Sequence, residues 1–194
     1  MRKLLAAINV SLDGYADHDI GIADDELHDF FTDLLDNVDI ILFGRVTYKL
    51  MESYWPSAPN DPEATGSMVK FAHKINSMPK IVFSKTLEKV EWNNSKLIRN
   101  DIIKEVKKLK QQPGKNLSIG GISVIQELTN EGLIDDYWIL VHPLIIGKGR
   151  LLFEGINQSI KLKLINIKNF KSGVVVLHYQ PDKKPSLNTG NLLK

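Results

Sequence analysis

A chain of 194 residues is long enough to bury a substantial core and has the size of one domain. With 43% hydrophobic and 25% charged residues and a formal net charge of +2, it shows no charge bias toward nucleic acid or a membrane surface as partner. The lack of cysteine excludes disulfides, thiolate zinc sites and a cysteine nucleophile, and fits a cytoplasmic protein whose redox work would come from a cofactor.

The opening run MRKLLAAINVSLDGY is interrupted by Asn9, Ser11 and Asp13 before it could act as a signal or membrane span, so it reads as a first strand. From Asp24 to Val38 the apolar residues Leu27, Phe30, Phe31, Leu34, Leu35 and Val38 recur at spacings of three and four, which predicts a helix with one buried stripe. Asp24, Asp25 and Glu26 suit its N-terminal end. The run IILF, Ile40 to Phe43, is uniformly apolar, as expected of a strand covered on both faces.

A helix from Thr47 to Ser53, a proline-broken loop, a helix through SMVKFAHKIN and the strand KIVFS (Lys80 to Ser84) follow. The helix DIIKEVKKLKQQ ends at Pro113 and Gly114, the short strand NLSIGG runs into Gly120 and Gly121, and the helix ISVIQELTNEG stops at Gly132. Strands alternating with helices imply an α/β fold with a mostly parallel central sheet of about eight strands. The last third differs: DYWILVHP is a strand, and KLKLINIKNF and GVVVLHY form an antiparallel C-terminal hairpin. Residues 1–180 are thus expected to form one domain and 181–194 a flexible tail.

Ligands of open parallel sheets collect beyond the carboxyl ends of the strands, which directs attention to SLDG, GRVTY, SKT and the Gly120–Gly121 pair. In GRVTY, Gly44 admits close backbone approach, the next amides open a helix, and Arg45 can grip a phosphate through two N–H groups. Equally, Thr47 reads as an N-cap and Arg45 as a solvated surface charge. Gly120 and Gly121 would let a pyrophosphate reach a helix N-terminus, or simply form a tight turn. Ser84 and Lys85 offer a hydroxyl and an ammonium, a pair also common on surfaces. Asp13 before Gly14 is a turn dipeptide, or a carboxylate facing the same crevice to orient or protonate a heterocycle.

Other chemistries lose ground. His18, His28, His73, His142 and His178 show no metal-ligand spacing, and Asp17 and Asp19 are followed by Ile22 where a calcium loop needs glycine, so no metal is expected. Gly-x-Gly-x-x-Gly, Gly-Lys-Ser/Thr and Gly-x-Ser-x-Gly are all absent, and Gly147 to Gly149 do not complete a dinucleotide fingerprint.

Taken in order, SLDGY, GRVTYKLM, KIVFSKT, SIGGISVIQEL and HPLIIGKGRLLFEG resemble the dihydrofolate reductase-like superfamily, and within it the reductase domain of riboflavin biosynthesis, the RibD C-terminal-domain family. The resemblance covers roughly residues 1 to 180. It implies a dihydrofolate reductase-like three-layer α/β/α fold and an NADPH-dependent reductase, with NADH less favoured, acting on a pterin-like or ribosylaminopyrimidine-like small heterocycle. Arg45, with Ser84 or Lys85, would hold the 2'-phosphate, with Gly44 in the same cofactor-binding turn; Thr47, Gly120 and Gly121 would meet the pyrophosphate; Ala7 would lie near the nicotinamide. Asp13 and Trp55 would belong to the substrate side. Candidate proton donors are Asp13 and His28, the latter found by counting back from Gly44 to the family's carboxylate position without gaps; a small gap would bring in Asp25 or Asp29. A homodimer is expected, with DYWILVHP or LLFEG at its interface. The alternative from another class is a noncatalytic nucleotide-binding or regulatory protein on the same fold.

Overall fold

The structure is a computed structural model and describes residues 1–17 and 21–182. Its first half comprises β1 Leu4–Ser11, α1 Asp25–Leu35, β2 Val38–Gly44, α2 Arg45–Tyr54, a 3-10 turn at Ala58–Asn60, α3 Gly66–Ser77 and β3 Lys80–Phe83. The second half comprises β4 Ser95–Ile98, α4 Ile102–Gln111, β5 Asn116–Gly120, α5 Ile122–Asn130, β6 Asp136–His142, β7 Leu162–Asn169 and β8 Val175–Pro181. The strands form one eight-stranded sheet in the order β4-β3-β2-β5-β1-β6-β8-β7. Every pair from β4 to β6 is parallel, and β8 runs antiparallel to both β6 and β7.

Side chains alternate across each strand, so a sheet buried on both faces needs apolar residues at successive positions. In β1 and β2, Leu4, Ala6 and Leu42 face a core shared with Val106 of α4 and Ile125 and Leu128 of α5. Leu5, Ile41 and Phe43 face the opposite core with Leu35 of α1 and Phe71 and Ile75 of α3. This gives three layers, and each fully buried Leu or Ile contributes roughly 1.5–3 kcal/mol. No helix among the described residues is long and apolar enough to cross a membrane.

The helix expected from Asp24 to Val38 stops at Leu35, and Val38 opens β2 instead. Val38 kept the helical spacing because it feeds the same core as Leu35. Asp24 is the N-cap of α1, its carboxylate accepting from Leu27 N at 2.8 Å. Helix α2 begins at Arg45 rather than Thr47, with Gly44 as its N-cap, so Thr47 is not a cap. Strand β4 was not legible: only Ile98 of its four residues is buried, as befits a short edge strand.

Strand β6 is hydrogen-bonded to β1 on one side and β8 on the other, and the outer edge at that end of the sheet is β7. Strand β8 extends to Pro181, and the expected tail lies, from residue 183 onward, outside the described residues, as do His18 and Asp19.

Candidate active site

Because β2 lies between β3 and β5, three of the four singled-out junctions arrive side by side. Phe43 is in register with Gly120, and Gly44 with Phe83, so GRVT, SKT and the glycine pair share one end of the sheet. Here Gly44 and Gly121 are the N-caps of α2 and α5, with no side-chain cap and no acidic residue in either first turn. Helices α1, α3 and α4, in contrast, have their first amides engaged by Asp24, Thr65 and Asp101. Two helix N-termini with free amides next to each other form a site for an anion.

The glycines are there because backbone must approach. Gly121 has φ +120°, and a Cβ on it would lie 2.9 Å from Thr47 Oγ1 and 3.3 Å from Val124 Cγ2. A Cβ on Gly44 would stand 3.3 Å from Val124 Cγ1. Gly120 is less constrained, with its nearest neighbour, Phe43, at 3.4 Å.

Over these helix starts lies a cavity of about 280 Å³ lined by Arg45, Thr47, Ser84, Lys85, Gly121 and Arg150, among others. Ser84 Oγ accepts from Thr86 N at 3.2 Å and Leu87 N at 2.9 Å, which fixes the loop and leaves its O–H to donate. Arg150 was missed in the sequence because it follows no strand directly. Asp17 Oδ2 accepts its backbone N–H at 2.7 Å, and its Nη2 donates to Ser123 Oγ at 2.8 Å, which carries the guanidinium to the cavity beside Arg45 and Lys85.

A second cavity, of about 290 Å³, adjoins the first; Thr47, Gly121 and Ile122 line both. Its walls are apolar and aromatic, with Phe31, Leu50, Met51, Trp55 and Phe71 prominent, and Ala7 and Asn9 of β1 at its base. Trp55 and Phe71 meet edge to face at 4.7 Å between ring centroids, and His28 lies 5.7 Å from Trp55 and 6.2 Å from Phe71. His28 is buried, and its Nδ1–H donates to Asp24 O at 2.8 Å, which leaves Nε2 for a ligand.

The alternatives to His28 lie elsewhere. Asp25 Oδ1 accepts from Thr65 Oγ1 at 2.6 Å and from Ser67 Oγ at 2.5 Å, and Asp29 is exposed and faces Lys70 Nζ at 3.7 Å. Neither lines the apolar cavity. Asp13 is not brought to either cavity. Its carboxylate accepts from Ser11 Oγ at 2.6 Å, Gly147 N at 2.8 Å and Ile146 N at 3.3 Å, tying the loop after β1 to the loop after β6. The Ser11 hydroxyl, aided by the Gly147 and Ile146 amides and opposed by burial, holds Asp13 below the usual carboxylate range.

The sequence profile of the RibD C-terminal domain family matches residues 2–176. Bacillus subtilis (strain 168) has an uncharacterized protein, YyaP, that is 36% identical over 182 residues, covering 92% of this chain and 94% of that protein. Among solved structures, the Thermotoga maritima diaminohydroxyphosphoribosylaminopyrimidine deaminase/5-amino-6-(5-phosphoribosylamino)uracil reductase superposes with a TM-score of 0.64 at 18% identity. That match covers 93% of this chain and 57% of the longer protein. A dihydrofolate reductase from Enterococcus faecalis, complexed with NADP(H), gives a TM-score of 0.62 at 13% identity, covering 93% and 96%. The two structural likenesses show the shared dihydrofolate reductase-like fold. By its profile match over nearly the whole length, the chain belongs to the RibD C-terminal domain family.

Proposed function

We propose that this protein is an NADPH-dependent reductase that transfers a hydride to a pterin-like or ribosylaminopyrimidine-like small heterocycle. The observation that carries the reading is the pairing of a basic cavity over two uncapped helix starts with an apolar cavity that shares its seam at Thr47 and Gly121. Arg45, Lys85, Arg150 and Ser84 line the side suited to a 2'-phosphate; the amides after Gly44 and Gly121, with Thr47, suit the pyrophosphate; Ala7 lines the apolar side, where the nicotinamide would enter.

When bound, the nicotinamide would supply the hydride, and the chain has to hold donor and acceptor carbons at about 3 to 3.5 Å. Phe31, Trp55 and Phe71 would sandwich a flat ring and exclude water. His28 Nε2, oriented by the Nδ1–H bond to Asp24 O, is the group able to exchange a proton with it. Asp13, engaged by three donors outside the cavities, serves to fix the loops instead. Assembly as a homodimer is supported by the outer strand β7, where Leu162, Leu164, Ile165 and Ile167 are all exposed. A cytoplasmic setting remains part of the proposal and rests on the cysteine-free sequence.

The test is a titration of the full chain with NADPH and NADH, followed by NADPH oxidation with a panel of pterins, pyrimidines and quinones. Binding with turnover of any member is the expected result. Binding of neither nucleotide at millimolar concentration overturns the reading, and binding without turnover on the whole panel favours a noncatalytic nucleotide-binding role.

A further inference from the structure

The two cavities differ in charge as well as in place. Arg45, Lys85 and Arg150 all line the first, whereas the described lining of the second contains no Arg or Lys and includes Asp17. A phosphate in the second cavity would give up its hydration against apolar walls and a like charge, with no described cation to compensate. The basic cavity cannot help when its cations hold the phosphates of a cofactor. At about 290 Å³ the apolar cavity is also at the small end of ligand pockets, enough for a one- or two-ring compound.

One polar group at its base has a defined direction. Ile22 N–H donates to His142 Nδ1 at 3.1 Å, so this nitrogen carries no proton in the bond. His142 is fully buried at the end of β6, and the proton of its neutral ring therefore sits on Nε2, 3.1 Å from Asn9 Oδ1. Gly21 closes over the same ring: a Cβ there would lie 2.7 Å from His142 Cε1. With Oδ1 committed to His142, the Asn9 Nδ2 hydrogens have no protein acceptor among the described residues, and Asn9 is one of the residues that line the cavity.

We infer that the apolar cavity takes an uncharged, unphosphorylated planar heterocycle bearing a ring carbonyl, and that Asn9 Nδ2 donates to this carbonyl. The inference rests on the reductase reading for the cofactor next door, and it narrows that reading by setting aside a phosphoribosyl-bearing pyrimidine. The carbonyl oxygen gains a donor where negative charge grows as hydride arrives, so Asn9 would both position the ring and polarise it.

The experiment measures equilibrium binding to the full chain by calorimetry, first of NADPH alone, and then, with NADPH present, of three probes. These are lumazine, 5-amino-6-ribosylaminouracil and the 5'-phosphate of the latter. Failure of NADPH to bind would reject the reductase reading itself, and with it the ground for this inference. Given NADPH binding, at least one uncharged probe is expected to bind, and the phosphorylated compound to bind about tenfold more weakly than its unphosphorylated twin. A phosphate form that binds as well or better, or failure of both uncharged probes, overturns the inference. Asn9→Ala and Asn9→Asp should each weaken the uncharged probe by about tenfold while leaving NADPH affinity close to wild type; Asn9→Ala also orphans the buried His142 Nε2–H and should lower the melting temperature, whereas Asn9→Asp keeps an oxygen acceptor for it. Unchanged probe affinity in both variants overturns the assigned contact.

Discussion

Thr47 and Gly121 meet so closely that a Cβ on Gly121 would stand 2.9 Å from Thr47 Oγ1. This contact brings the first turns of α2 and α5 together at the seam between the two cavities. Gly121→Ala has two costs, the clash and a φ of +120° that an L side chain resists. A stability loss of about 1–3 kcal/mol is expected in denaturant unfolding, together with weaker NADPH binding. Gly120→Ala, whose nearest contacts begin at 3.4 Å, is the control for stability and should be nearly silent in unfolding.

Arg45 stands exposed at the first position of α2, in the basic cavity with Lys85 and Arg150. If it binds the 2'-phosphate, Arg45→Ala removes a charge-assisted pair and should weaken NADPH by about 10- to 100-fold while leaving NADH within a small factor. Added salt should narrow the gap between the two nucleotides in the wild type and do little in the variant. Fluorescence titration of both nucleotides at two ionic strengths checks this, and equal losses for NADPH and NADH would remove Arg45 from the 2'-phosphate site.

The fold was legible where one physical rule dominated. IILF reads as a central strand because Ile41 and Phe43 feed one core and Leu42 the other, which leaves no polar position. Strand β4 was not legible because an edge strand needs little burial, and Ser95 and Lys96 have no reason to be apolar. At the candidate site, Arg45, Thr47, Ser84, Lys85 and the glycines could be singled out together because they follow parallel strands whose ends are adjacent. Arg150 and Asn9 were not. Arg150 comes from a long irregular loop, and the role of Asn9 depends on His142, which is far away in sequence and adjacent only through the β1–β6 pairing.

Asp13 provides a test of loop fixation against chemistry. Its three donors hold its pKa below the ordinary value, so the carboxylate contributes stability that is complete above that value and is lost as pH falls through the lowered one. Asp13→Asn should lower the melting temperature at neutral pH and flatten its acid limb. Turnover at saturating substrate should be largely kept, since Asp13 lines neither cavity. Loss of turnover with unchanged melting would restore Asp13 as a proton donor.

His142 contributes a second acid dependence. Burial pushes its pKa below the ordinary 6.5, against an opposing pull from Asp24. Below about pH 6.5 the unfolded chain takes up a proton that the folded chain refuses, so stability falls with pH until the lowered folded value is reached. Melting curves between pH 5 and about 7 should show this slope in the wild type. In His142→Gln the slope should be shallower, whatever that variant's absolute stability. A parallel dependence in the two proteins would mean that His142 is not the group responsible.

His28 is the residue whose replacement separates packing from proton transfer. Its ring lies against Trp55 and Phe71 in the apolar cavity, and phenylalanine can keep those contacts while removing both nitrogens. If Nε2 exchanges a proton with the reduced ring, His28→Phe should lower kcat by about 10²- to 10⁴-fold, with NADPH affinity unchanged because His28 does not line the basic cavity. His28→Gln gives the complementary result: it keeps a hydrogen-bonding group but cannot cycle a proton at neutral pH, so KM should change less than kcat. A kcat within about threefold of wild type in His28→Phe would assign the proton to an ordered water instead.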